Sequence, residues 1–519
     1  MVEIKSGDNR VIIQGNKPKR SIEAVLQPQF KMLHKPQEEY AYSYYDTFDW
    51  RLAAGKRVLR LNGRFLEMCD YLNESVLIRV EWPRKTVPRF HWEFSNDGMR
   101  ENLRCIAGTR ALVKIADMHQ VSETVIILNH DDATVGTLRH DQISVSDPGG
   151  KSGHRRLTRL FLKEGYETEA DFFIKLLNSE HYEVLPDDPP NLELYMQVIE
   201  RTPFDYSSKL DVNLEPAMTS DQAIAVILRR ILHIIHANLQ GIIDDIDSEF
   251  LHDMRVASRR GRAAITQLNT SISEKPTTDL TSFLRRIGKQ TNHLRDLDVY
   301  MSKRCLYMNM LPEKLHSGLN QLFEDLSGRR KSALKSVKRF VTSRSFQNEL
   351  SRWNEFFDGS DADNYAGNSG KPLSNSVKPI IFRRYRKVFK IGRAIRADSP
   401  SSHLHKLRLQ CKKLRYLLEL FESLFPKDTI KFLVKKLKNL QDVLGDFNDL
   451  SVQQRFLSEY LAAVKDSDPN STITAAALGG LITHLWQEQH RVRSKFTDVF
   501  KSFVDKDVTD LFKTLFTTE

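Results

Sequence analysis

Two periodicities divide the chain. Up to about residue 200, short β-branched runs alternate with turn signals; from Asp221 onward apolar residues recur every three or four positions almost without a break. The runs Val11–Ile13, Val76–Glu81, Ala111–Ile115, Thr124–Leu128 and Gln142–Val145 predict strands. Asn62-Gly63, Asp97-Gly98 and Pro148-Gly149-Gly150 predict turns between them. An amphipathic helix is predicted over Glu167–Leu177, and Pro186, Pro189 and Pro190 predict a loop near the domain's end. Residues 203–220, with Pro203 and Pro216, read as a linker. The remainder predicts about four long helices in each of two stretches, parted around Gly359–Gly370. The expected fold is an α+β domain at 1–205 and an all-α domain at 206–519, the latter as two related bundles at about 221–358 and 371–519.

The helical part carries one pattern twice. His252-Asp253-Met254-Arg255-Val256 is followed by Arg259, Arg260 and Arg262; His405-Lys406-Leu407-Arg408-Leu409 is followed by Lys412, Lys413 and Arg415. Arg295-Asp296-Leu297-Asp298 and Asn448-Asp449-Leu450-Ser451 form a second matched pair, and Arg230 and Arg383 a third, all offset by 153 positions. Several blocks sharing one offset mark an internal duplication.

At 100° per residue, His252, Arg255, Arg259 and Arg262 share one helix face, opposite Met254, Ala257, Gly261, Ala264, Ile265 and Leu268. The second copy sets His405, Arg408, Lys412 and Arg415 against Leu407, Leu414, Leu417, Leu418 and Phe421. Each helix thus buries an apolar face and presents a narrow cationic stripe. If the halves pack about a pseudo-twofold axis, the stripes line one groove.

Charge sharpens the picture. The chain has 519 residues and a net charge of +11. Residues 1–220 hold 29 Lys and Arg against 33 Asp and Glu, leaving 49 against 34 for residues 221–519. The cationic excess therefore belongs to the duplicated part, which points to a polyanionic partner there. The four cysteines are scattered without metal-finger spacing and predict free thiols in a reducing, cytoplasmic setting. No uncharged apolar run approaches the length of a membrane span, and no cofactor motif is present.

The twice-repeated His-x-[Met/Leu]-Arg-[Val/Leu] motif, with its basic clusters and following [Arg/Asn]-Asp-Leu blocks, resembles the CHAD family (conserved histidine α-helical domain) over about residues 221–519. The resemblance implies two helical bundles around a basic cavity that binds inorganic polyphosphate, and for some members a place at polyphosphate granules. It implicates His252, Arg255, Arg259, Arg260 and Arg262 in the first half. In the second it implicates His405, Arg408, Lys412, Lys413 and Arg415. Arg295 and the Arg230/Arg383 pair join them as expected ligands of the chain.

Over residues 1–200, Tyr44-Tyr45-Asp46-Thr47 followed by Leu52, Gly55 and Leu59-Arg60 resembles the CYTH, or triphosphate-tunnel, family. Arg110-Ala-Leu-Val-Lys114, the Asp131-Asp132 turn and Leu162-x-x-Gly165-Tyr166 fit as well. That resemblance implies a β-tunnel holding a divalent metal on ExExK and ExE strands. Here Arg10, Ile12 and Gln14 stand at the first set, and Gln142-Ile143-Ser144-Val145 at the second. Met1-Val2-Glu3-Ile4-Lys5 is an alternative for the first set, with too long a spacing to Tyr44. A tunnel short of carboxylates cannot assemble a magnesium site, so the domain is expected to be non-catalytic.

Three functions remain as readings. The first is a polyphosphate-binding protein without chemistry of its own. The second is an inorganic triphosphatase acting through the N-terminal tunnel, and the third a nucleic-acid-binding module using the same groove. Neither stripe contains an aromatic, Tyr416 lying just outside the second, whereas single-strand sites usually interleave stacking rings. The two histidines either donate to phosphate or orient neighbouring arginines. Asp296, Asp298 and Asp449 are expected to pair with arginines inside the bundle, and Arg329-Arg330-Lys331 to form a solvated face or a groove extension.

Overall fold

Alternation along the first part and 3.6-residue periodicity along the second give two units, Met1–Ser207 and Ser208–Glu519. The computed structural model describes residues 10–15, 20–84, 86–185, 189–210, 212–268, 274–358, 372–396, 398–464 and 470–517.

The first unit is one antiparallel sheet. Its strands are β1 (Arg10–Gly15), β2 (Lys31–His34), β3 (Glu38–Thr47), β4 (Arg57–Asn62), β5 (Phe65–Asp70), β6 (Val76–Glu81), β7 (Leu112–Leu128), β8 (Thr134–Ser146), β9 (Ser152–Leu162) and β10 (Tyr182–Leu185). Among the described residues the order is β10-β1-β9-β8-β7-β3-β4-β5-β6, with β2 beside β7. This β-rich unit is compatible with a CYTH-like domain. Short helices α1 (Ile22–Leu26), α2 (Arg51–Ala54), α3 (Asp97–Ala107), α4 (Glu167–Ser179) and α5 (Asn191–Val198) flank the sheet.

Two local expectations change. The runs Ala111–Ile115 and Thr124–Leu128 are the ends of one 17-residue strand, β7. The polar stretch between them stays in the ladder because its inward groups are satisfied: Gln120 and Ser122 donate to the buried Asp141 at 2.9 and 2.6 Å. Asp97-Gly98 opens a helix instead of turning, because Asn96 caps α3 by accepting from the Met99 amide at 2.9 Å. Asn62-Gly63 and Pro148-Gly149-Gly150 do join strands, with Gly63 and Gly150 at φ 44° and 89°, where a side chain is strained.

In the second unit the duplication shows in the starts of the first three helices of each half. Helices α6 (Ser220–Ile243), α7 (Ser248–Leu268) and α8 (Glu274–Ser302) begin 153 positions before α12 (Leu373–Arg393), α13 (Ser401–Leu420) and α14 (Lys427–Ala462). The short α9 (Arg304–Asn309) has no separate counterpart. Helix α10 (His316–Val341) ends 153 positions before α15 (Ser471–Ser494). The copies then diverge: α11 (Arg344–Asp358) is one helix where the second half has α16 (Phe496–Phe503) and α17 (Lys506–Phe516).

The predicted apolar faces are buried: Met254, Ala257, Gly261, Ala264 and Ile265 on α7, and Leu407, Leu414, Leu417 and Leu418 on α13, with Phe421 just beyond it. The Leu268 side chain lies outside the described residues. By length and composition α6 is apolar enough to cross a membrane, but its apolar residues are buried in the bundle core. Gly241 permits the close turn into α7, since a Cβ there would meet the Phe250 ring at 2.1 Å.

Candidate functional site

Burying one face of α7 and one of α13 leaves each basic stripe facing outward, and the helices pack so that the stripes meet. Arg259 of α7 lies over the Tyr416 ring of α13, 5.7 Å from its centroid. Arg260 of α7 donates to Glu419 of α13 at 3.4 Å and to the Ser208 carbonyl at 3.1 Å. The Lys412 amine is pushed down to about 8 by burial, then by Arg408 and Arg259, with Asp449 opposing and Arg415 adding. Cations of both repeats therefore act on one amine.

Within each repeat the third helix orients the stripe. Arg255 donates to the Gly288 carbonyl, Thr291 Oγ1 and Asn292 Oδ1 of α8 at 2.7–2.9 Å. Burial lowers the Arg255 pKa, Asp296 opposing and Arg259, Arg295 and Arg262 adding to the fall. Arg262 is lowered by burial and by Arg285 and Arg259. In the second repeat Arg408 reaches Asp449 at 3.5 Å, and Arg415 donates to Glu419 at 2.6 Å and Gln441 at 3.0 Å. The Nε atoms of Arg262 and Arg408 are buried and hydrogen-bonded to no protein group. Trp353 Nε1 on α11 is in the same state, so these atoms alone do not mark an anion site.

The second histidine is placed by its neighbour: His405 Nδ1 lies 2.7 Å from Asn448 Oδ1. His252 is half-buried at the equivalent position on α7. Arg295, which stands where the second repeat has Asn448, turns back to the Ser248 carbonyl at 3.2 Å and Glu249 at 3.6 Å. Lys413 is exposed.

A family model for the CHAD domain matches residues 226–458. This region is a CHAD domain. Among solved structures, the chain is similar to the CHAD domain from the plant Ricinus communis, at 19% identity and a TM-score of 0.47, over 57% of this chain and 96% of that one. It is also similar to PptA from Streptomyces chartreusis, at 14% identity and a TM-score of 0.42, over 55% and 100%. No curated protein matches the chain.

The CHAD domain holds cations that motif reading passed over. Lys427, Lys431, Lys435 and Lys438 recur at helical spacing along α14 and line a cavity of about 730 Å³ with Arg260, Arg415 and Tyr416. Their i, i+4, i+8, i+11 spacing was the available signal. The corresponding positions of α8 are Glu274, Thr278, Ser282 and Arg285, so three of the four cations belong to the second repeat and the fourth position is cationic in both.

Not every expected ligand reaches the groove. Arg383 is exposed in a separate hollow with Pro379, Phe382, Arg386, Phe516 and Thr517. It is Arg384 that turns toward α13, donating to Gln410 at 2.7 Å. Arg230, the first-repeat counterpart of Arg383, is half-buried on α6. Arg330 neither extends the groove nor stands in solvent: it donates to Asp298 at 2.7 Å and to Asp245 at 2.6 and 2.9 Å. Among the described residues no group of three or more His, Cys, Asp or Glu is arranged to hold a metal ion.

In the sheet unit, Ile12 occupies its ExExK position as part of an apolar cluster with Tyr44 and Tyr195, and Gln14 is exposed. Residues 1–5, and the side chain of Arg10, lie outside the described residues. Ile143 and Val145 belong to the same cluster. The buried carboxylates are held by arginines: Glu67 by Arg60 at 2.9 Å and Arg79 at 2.7 Å, and Asp141 by Arg159 at 2.8 Å. Asp46 of the Tyr-Tyr-Asp-Thr run accepts from the Thr47, Leu52 and Ala53 amides at 2.6–3.0 Å, fixing the start of α2.

Proposed function

We propose that the CHAD domain binds inorganic polyphosphate along the groove between α7 and α13. The observation that carries this reading is the meeting of the two basic helices, Arg259 of α7 lying over Tyr416 of α13 and Arg260 pairing with Glu419, with Lys412 held down by burial and by Arg408 and Arg259. Such a cluster is costly in the free protein and is relieved by a polyanion. Arginine forks suit phosphate oxygens and the lysine supplies a point charge. The duplication gives the ligand two similar walls, as a uniform chain of repeating charges requires.

The role proposed is binding without chemistry, in the cytoplasm and at polyphosphate granules. Supporting it in the sheet unit, Ile12 stands where a metal carboxylate is needed, and Glu67 and Asp141 are already held by arginines. One observation favours nucleic acid as a second reading: Tyr416 lies in the groove wall under Arg259, offering a ring for stacking.

A competition titration separates these. Labelled long-chain polyphosphate is displaced by unlabelled polyphosphate, single-stranded RNA or tripolyphosphate at two salt concentrations, with and without Mg²⁺, while free phosphate is followed. Displacement by polyphosphate with RNA ineffective and no phosphate release is expected. Equal displacement by RNA would make the groove a general polyanion site, and Mg²⁺-dependent phosphate release would make the sheet unit a triphosphatase.

A further inference from the structure

The cavity lined by the C-terminal parts of α7 and α13 and by α14 is chemically unlike the groove itself. Lys427, Lys431, Lys435 and Lys438 stand along one side of it, and Lys431, Lys435 and Lys438 are exposed. The opposite character comes from Leu210, Ala263, Ala264, Tyr416, Leu420 and Val434, which also line it. At about 730 Å³ it falls in the size range of small-molecule sites. Bare phosphate gains nothing from aliphatic and aromatic walls, whereas a planar heterocycle buries its faces against them.

Two arginines that line the cavity are already fixed by protein partners. Arg260 is tied to the Ser208 carbonyl and Glu419, and Arg415 to Glu419 and Gln441. The lysines, by contrast, are flexible point charges spaced over three helical turns of α14. Fixed arginines, mobile lysines along one flank and an apolar wall together match a ligand with both a ring and a phosphate chain.

We propose that this cavity binds a nucleoside polyphosphate, with the base against Tyr416, Ala263 and Val434 and the phosphates on the α14 lysines. The proposal rests on the anion-groove reading only through the shared Arg260 and Arg415. Repeat 1 has Glu274, Thr278 and Ser282 where α14 has Lys427, Lys431 and Lys435, so it lacks this lysine row.

Titration of the full chain with ATP and with inorganic tripolyphosphate tests this, since the inorganic ion carries at least as much charge and has no base. ATP is expected to bind roughly tenfold more tightly, about 1.4 kcal/mol. Val434→Trp fills the cavity without altering a charge; it is expected to abolish that advantage and leave tripolyphosphate and long-chain polyphosphate affinities unchanged. Lys431→Glu with Lys435→Glu is expected to weaken ATP more than tenfold, with circular dichroism checking the fold of both variants. ATP binding no tighter than tripolyphosphate, or an ATP advantage surviving Val434→Trp, overturns the proposal. Long-chain polyphosphate binding beside either result leaves the groove reading standing. ATP binding with no affinity for long-chain polyphosphate removes that reading and keeps this one.

Discussion

Arg260 of α7 and Glu419 of α13 form an ion pair at 3.4 Å that joins the two repeats, and the same carboxylate accepts from Arg415 at 2.6 Å. Glu419 thus fixes one guanidinium from each half and subtracts a charge from the groove. Both partners are partly solvated, so the pair itself adds little stability. Glu419→Gln keeps a hydrogen-bond acceptor and removes the charge. Polyphosphate affinity is expected to rise about three- to tenfold at low salt, the order of one nearby screened charge. The gain should shrink as salt rises, which a titration at two ionic strengths reads directly.

The stripe arginines differ in how far the fold already uses them. Arg255 makes three hydrogen bonds to α8, whereas Arg259 rests over Tyr416 with its charge exposed. Arg255→Ala is expected to lower stability by about 1–3 kcal/mol and weaken binding as well. Arg259→Ala should leave the melting temperature within a degree or so while costing tenfold or more in polyphosphate affinity. It should also reduce the salt slope of log affinity by roughly one. Equal melting losses in the two variants would mean that Arg259 is structural too.

Much of this architecture was legible because a duplication preserves helix phase. His252 and His405, with their following cations, lie 153 positions apart, and so do the starts of α7 and α13. Helix phase does not record which neighbour a long side chain selects. Arg383 matched Arg230 in offset, yet Arg384 is the residue that reaches α13. The α14 lysines lie outside the repeated motif, and only Lys438 has a cationic first-repeat counterpart, Arg285. In the sheet unit, hydrophobic alternation failed in the middle of β7, where the inward groups are Gln120 and Ser122 serving Asp141. Those polar inward positions exist because a buried carboxylate on β8 needs donors, a requirement visible only across strands.

Arg330 is a structural cation, apart from the groove stripes. Its guanidinium joins Asp298, which is almost fully buried, to Asp245. Burial raises the Asp298 carboxyl, with Arg330 opposing that rise. Arg330→Ala leaves the buried carboxylate without its cation and is expected to cost about 3 kcal/mol, read as a fall in the denaturation midpoint. Polyphosphate affinity of the folded variant should stay within twofold of the parent. A tenfold loss of affinity would instead extend the groove across α10.

Lys412 gives the groove a pH signature whose sign is fixed by its surroundings. Its amine titrates near 8 in place of the ordinary lysine value of 10.5, through burial, then Arg408 and Arg259. Protonating it therefore costs the free protein. That cost is absent above about 10.5, where the amine is neutral folded and unfolded alike, and grows until it is full below about 8. A polyanion in the groove reverses the local field and raises the amine's pKa, so binding takes up a proton between these limits. Affinity should consequently fall as pH rises from about 8 toward 10. Calorimetry at about pH 9 in two buffers of different ionisation heat should report uptake approaching one proton. Lys412→Arg holds the charge throughout this range and is expected to bind without that uptake and with a flatter pH profile. If the arginine variant takes up the same proton, another group in the groove is the one that titrates.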